Sequence, residues 1–187
     1  MKTIIKSILL MHVVLLSYSC SKKQTKEKEL FFKAIIDNNL DKKLKIPDSL
    51  ILYKPFSYSK NQLLSNTKLR VYSHIAASCG TCLESMKLWN EIIPEFNKQN
   101  VKVYLVCSSD DRFELLKYFF ESKEFKNFSY ELYLDYENDY VIRNKFMQES
   151  KNFETVLIDG LGKIKMIGNP IFTKKIKDIY MNLINKQ

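Results

Sequence analysis

The stretch from Leu69 to Ile93 constrains this chain more than any other part of it. An apolar strand pattern (Leu69 to Ala77) passes directly into a helical pattern (Thr81 to Ile93), and Cys79-Gly80-Thr81-Cys82 straddles the junction. A strand that hands over to a helix in so few residues belongs to a layered α/β domain, where the helix packs back on the sheet. Two thiols at that junction can close a small disulfide. The first sulfur then lies at a helix start, where exposed N–H groups favour a thiolate, the nucleophile of thiol–disulfide exchange.

The rest of the chain continues the alternation. Leu30 to Asn39 reads as a short helix, and Leu40 to Asn66 as an irregular lead-in, with Pro47 and Pro55 bounding apolar Leu50–Tyr53. In the helix after the cysteines, Leu83, Met86, Leu88, Trp89, Ile92 and Ile93 recur at mostly helical spacing, and Pro94 marks a kink or an end. Val101 to Cys107 is a buried strand pattern, followed by a capping signal (Ser108 to Asp111) for a helix over Arg112–Ser122. A strand at Tyr130–Leu134 and a short helix near Tyr140–Met147 come next. Glu154 to Asp159 and Lys163 to Ile167 flank Gly160-Leu161-Gly162 as a hairpin, and Phe172 to Ile184 is an amphipathic helix. Strands alternating with helices, then a hairpin and a closing helix, predict an α/β domain with a mixed central sheet flanked by helices.

The N-terminus reads as an export signal. Lys2 and Lys6 precede the apolar run Ile8–Leu16, interrupted only by His12 and far short of the roughly 20 residues that span a bilayer. The run ends at Leu16-Ser17-Tyr18-Ser19-Cys20, which resembles the lipobox of bacterial lipoproteins, although Leu stands four residues before the Cys and Tyr18 is large. Residues 1–19 are the expected signal peptide, Cys20 the lipidation site and 20–29 a polar tether. The alternative is ordinary signal cleavage nearby, with Cys20 a free thiol. Removing 1–19 leaves 168 residues, enough for one full core, with 28 basic and 21 acidic side chains and a net charge of +7. The lysines are scattered among acids and apolar residues and form no arginine-rich stripe, so no nucleic-acid surface is expected.

Three segments carry a family resemblance: VYSHIAASCGTCLESM through the cysteines, LYLDYENDYVIRNKF, and the closing TVLIDGLGKIKMIGNP. Together they resemble a thioredoxin-like domain of the TlpA-like, membrane-tethered type. The low-glycine, Lys/Asn/Ile-rich composition is similar to that of exported lipoproteins of Bacteroidetes. On this resemblance residues 67–187 form the thioredoxin-like domain and 30–66 an N-terminal extension. Cys79 becomes the attacking thiol and Cys82 the resolving one, while Ser73 takes a position beneath the cysteines where relatives often hold a polar or acidic group. The resemblance implies a membrane-anchored thiol–disulfide oxidoreductase of the cell envelope, on the inner or outer membrane, with its domain in the periplasm or at the surface. Its substrates would be disulfide-containing exported proteins or apocytochromes. A membrane or periplasmic electron donor would serve it, with no cofactor and no resident metal.

Several positions depart from the family pattern. Ser78 stands where relatives carry Trp, Lys87 where they carry Pro, and Phe153 where they place a cis-proline in the loop facing the cysteines. A cis bond before a non-proline costs about 2.5–4 kcal/mol, so a trans bond is expected at Phe153. Ser78, Phe153 and Glu154 are the expected walls of the substrate groove. These departures keep a second reading open, a redox-inactive thioredoxin-like lipoprotein that binds a protein or a metal. Cys107 is expected as a small buried hydrophobe, His74 as a packed residue on the face opposite Ser73, and Trp89 as core. A zinc site would need Cys107 and a borrowed fourth ligand. Ala76 occupies the place of the Thr that a peroxidatic cysteine requires, which excludes a peroxiredoxin.

Overall fold

The computed structural model describes residues 26–56 and 67–186, in two units that meet in sequence between Asn39 and Leu40. The signal segment, Cys20 and tether residues 20–25 lie outside the described residues. The first unit contributes a helix (α1) over residues 26–39. It takes in positions 26–29, read above as tether, because Lys26-Glu27-Lys28-Glu29 are good helix formers. Lys33 pairs with Asp37 one turn on, and the Asn39 side chain donates to the Ile35 carbonyl at 2.8 Å.

In the second unit the strand leading to the cysteines, β2 (Leu69–Ala76), is central to the sheet. Its alternating residues are buried on both faces, as an interior strand requires. It pairs in parallel with β3 (Lys102–Ser108), which pairs in parallel with β4 (Leu132–Asp135). On its other side β2 runs antiparallel to β5 (Thr155–Asp159), the first arm of a hairpin completed by β6 (Ile164–Ile167). The hairpin turn depends on Gly162 at φ +81°, a conformation that costs glycine no steric clash. A three-residue strand, β1 (Ile51–Tyr53), pairs antiparallel with β4 and closes the order β1-β4-β3-β2-β5-β6. The lead-in is thus part of the sheet: besides β1, Asp41 N–H donates to the Ile164 carbonyl at 2.8 Å and Leu44 N–H to that of Gly162 at 2.9 Å.

The helical segments are α2 (Gly80–Leu83), α3 (Ser85–Lys98), α4 (Glu114–Glu121), α5 (Asp139–Arg143) and α6 (Lys174–Asn185). Leu69, Val71, Ile75, Val103, Leu105 and Cys107 project from one face of the sheet into a core with Trp89, Ile93 and Phe96 of α3 and Tyr180 and Ile184 of α6. Phe96 and Tyr180 meet edge to face, 5.9 Å between centroids. The opposite face carries Tyr72 stacked on Tyr104, with centroids 4.4 Å apart, and Tyr133 alongside. The helix after the cysteines breaks at Glu84, and α3 then runs through Pro94 to Lys98. Pro94 is exposed, so the carbonyl left without its amide partner can turn to water while the buried stripe holds the helix together.

Candidate active site around Cys79 and Cys82

Both cysteines sit at the carboxyl end of β2, where the chain leaves the sheet. Ala77 N–H donates to the Ser108 carbonyl at 2.7 Å and prolongs the β2–β3 pairing by one residue. Cys79 then adopts extended backbone as the N-cap of α2, and its sulfur accepts from Cys82 N–H at 3.3 Å. Cys79 and Cys82 are joined in a disulfide, with Cα atoms 5.1 Å apart. The Thr81 hydroxyl lies 3.2 Å from Cys79 Sγ. Both cysteines are half-buried and Thr81 is exposed, so the pair lies at the surface and not in the core.

Facing the pair is the loop before β5. Ser150 caps a short 3-10 turn, Lys151–Phe153, by accepting from Asn152 N–H at 3.3 Å. The turn is locked to β2 because His74 N–H donates to the Glu154 carbonyl at 2.9 Å. No cis peptide bond occurs among the described residues, so the bond at Phe153 is trans, as expected. Phe153 itself is 3% exposed and points into the interior. A cleft of about 70 Å³ beside Cys82 is lined instead by Lys151, Glu154, Ser85, Trp89, Asn169 and Phe172, with Thr81 at its edge. Of the three expected groove residues, Glu154 lines this cleft. Phe153 serves as the buried anchor of the loop, and Ser78 accepts from Asp110 N–H at 3.4 Å in the loop after β3.

Lys151 is the residue that sequence reasoning missed. Its ammonium lies 3.6 Å from Cys82 Sγ. The available signal was its place two residues before Phe153, on the loop that the resemblance sets against the cysteines. Asn169 and Phe172 were also missed, and they reach the cleft from the loop between β6 and α6.

On β2 the Ser73 hydroxyl is fully buried and shares a 2.8 Å hydrogen bond with that of Thr155, its register partner on β5. His74 lies on the other face of β2, as the strand's alternation predicts, and is buried with Nε2 2.6 Å from Ser108 Oγ. Its Nδ1 is 3.7 Å from Glu154 Oε1, so a loop carboxylate and a buried imidazole adjoin at the cleft wall. Cys107 is a free thiol, wholly buried beside Ile75, and burial pushes its pKa up to about 12. It is the small hydrophobe the sequence suggested. Trp89 is fully buried as well, with its indole N–H unpaired at the floor of the cleft. At the start of α4, Asp111 is held below the usual carboxylate range, first by the Ser109 hydroxyl and then by backbone N–H groups that include those of Leu115 and Phe113. Among the described residues no three His, Cys, Asp or Glu side chains converge as a metal site.

No protein-family model matches the sequence, and no curated protein matches it. Solved structures do match. The solution structure of a thioredoxin-like protein in its oxidized form superposes with a TM-score of 0.51 at 14% identity, covering 80% of this chain and 97% of that one. The chain therefore has the thioredoxin-like fold, a mixed six-stranded sheet flanked by helices. Two further similar structures are a thioredoxin-like protein from Bacteroides caccae and an exposed lipoprotein thioredoxin of Streptococcus pneumoniae. The first has 17% identity and a TM-score of 0.43, covering 78% of this chain and 50% of that one. The second has 20% identity and a TM-score of 0.44, covering 66% of this chain and 90% of that one.

Proposed function

We propose that this protein is a thiol–disulfide oxidoreductase of the cell envelope, tethered through Cys20 and working on disulfides of exported proteins or apocytochromes. The observation that carries the reading is the Cys79–Cys82 disulfide, half-buried at the strand–helix junction beside an open cleft. In the reducing direction the Cys79 thiolate attacks a substrate disulfide, forms a mixed disulfide and releases one substrate thiolate. Cys82 then attacks Cys79 Sγ, which frees the second substrate thiolate and closes the internal disulfide. The substrate gains two electrons and the pair loses two, to be restored by a membrane or periplasmic donor. Hydrogen bonds from Cys82 N–H and the Thr81 hydroxyl suit Cys79 to the first attack, because both favour a sulfur anion.

Thiol trapping with mass spectrometry across a graded glutathione series tests this. Reversible, paired interconversion of Cys79 and Cys82 is expected, lost in Cys79→Ser, with mixed disulfides accumulating on Cys79 in Cys82→Ser. A pair that stays locked over the whole series would replace this reading with a binding module built on the same fold.

A further inference from the structure

Each sulfur of the pair has its own stabilising partner. Cys79 Sγ receives Cys82 N–H and the Thr81 hydroxyl, whereas Cys82 Sγ faces the ammonium of Lys151 at 3.6 Å. Among the described residues Lys151 has no carboxylate partner. On the same loop, Glu154 directs its carboxylate toward His74, and Glu84 pairs with Lys87. The lysine charge is therefore left for the sulfur. Its position follows from the turn that replaces a proline here: Ser150 caps it, Phe153 anchors it and the Glu154 carbonyl ties it to β2.

Resting on the thiol–disulfide reading above, we propose that Lys151 is a catalytic residue, the charge partner of the Cys82 thiolate, and that it biases this pair toward accepting electrons. When a dithiol substrate is oxidised, its thiolate attacks Cys79 Sγ and the Cys79–Cys82 bond breaks. The bonding electron pair leaves on Cys82, beside the Lys151 ammonium. A second substrate thiolate then attacks the substrate sulfur and releases Cys79 as a thiolate. The substrate leaves as a disulfide, two electrons poorer, and the pair holds those electrons as two sulfur anions or thiols. A leaving thiolate held by a cation departs faster, and stabilising the reduced pair makes the couple more oxidising. At 3.6 Å an ammonium favours a thiolate by about sevenfold in water-like surroundings, and by more where cleft walls displace water.

Two readouts test this in the full chain carrying Cys20→Ser. The first is the equilibrium constant with glutathione. Lys151→Met is expected to make the pair about tenfold less oxidising, which for two electrons is about 30 mV. Lys151→Arg should restore most of it, and 1 M salt should shrink the difference because Lys151 is exposed. The second is thiolate absorbance at 240 nm in Cys79→Ser, where buried Cys107 stays silent until about pH 12. There Lys151→Met should raise the Cys82 midpoint by about one pH unit. An unmoved Cys82 midpoint overturns the assignment, whatever the exchange assay gives. A midpoint that shifts in a protein incapable of reversible exchange would sink the oxidoreductase reading and leave the Lys151–Cys82 charge pair standing.

Discussion

Cys107 offers a sharp test of how the core treats a thiol that lies on the strand next to the redox pair. Its folded-state pKa is about 12 against 9.0 in the unfolded chain, and the cause is complete burial. Above pH 9 the unfolded chain gives up this proton and the folded chain keeps it. The unfolded state then binds fewer protons, so stability present below pH 9 is lost as pH rises toward 12. The slope is about 1.4 kcal/mol per pH unit and the full loss about 4 kcal/mol. Replacing the thiol by Cys107→Ala removes this dependence and leaves a small cavity worth about 1 kcal/mol. At pH 7 the wild type should therefore be the more stable protein by about 1 kcal/mol. By pH 10.5 it will have lost about 2 kcal/mol relative to the variant, and the order reverses. Urea unfolding followed by the fluorescence of Trp89, the single tryptophan, measures both proteins along that series. A stability difference that stays flat from pH 7 to 10.5 would refute the reasoning, because it would mean that Cys107 ionises in the folded state about as easily as in the unfolded one. The same burial requires Cys107 to escape alkylation in the native protein, so that thiol trapping reports on Cys79 and Cys82.

Two further perturbations address the frame around the site. Asp135 is fully buried and accepts from Tyr140 N–H at 2.7 Å and Asp139 N–H at 3.2 Å at the start of α5. Asp135→Ala should cost about 2–3 kcal/mol in denaturant unfolding, and a loss under 1 kcal/mol would show that water replaces the carboxylate. Pro94 interrupts the hydrogen bonding of α3 without ending it, so Pro94→Ala should stabilise the protein by about 1–3 kcal/mol. A lower melting temperature in that variant would mean instead that the helix needs the proline's bend to seat Ile93 and Phe96.

Much of this architecture was legible because its signals are local. The strand before the cysteines, the buried strand at 102–108 and the glycine-turned hairpin each show their period or turn residues within a few positions. The ends of elements were less legible. Pro94 left a kink and an end both open, and the helix runs on through it because burial of Met86, Trp89, Ile93 and Phe96 along one stripe outweighs one missing hydrogen bond. The strand Ile51–Tyr53 was invisible as a strand, since three residues carry no period and its ladder partner among the described residues, β4, lies some 80 residues away.

The same division runs through the site. Sequence alone determined that two cysteines sit where a strand becomes a helix and that no proline precedes β5, because each is read along one chain segment, whereas the place of Ser73 beneath the cysteines was implied by the family resemblance. Only the tertiary structure decided which side chains surround them. Phe153 turned inward as an anchor while Lys151, two residues earlier, reached Cys82, and Trp89, Asn169 and Phe172 completed the cleft from two other segments. Those contacts join positions up to about 90 residues apart. They follow from how the carboxyl end of β2, the loop before β5 and the β6–α6 loop meet at one end of the strands, which no local pattern records.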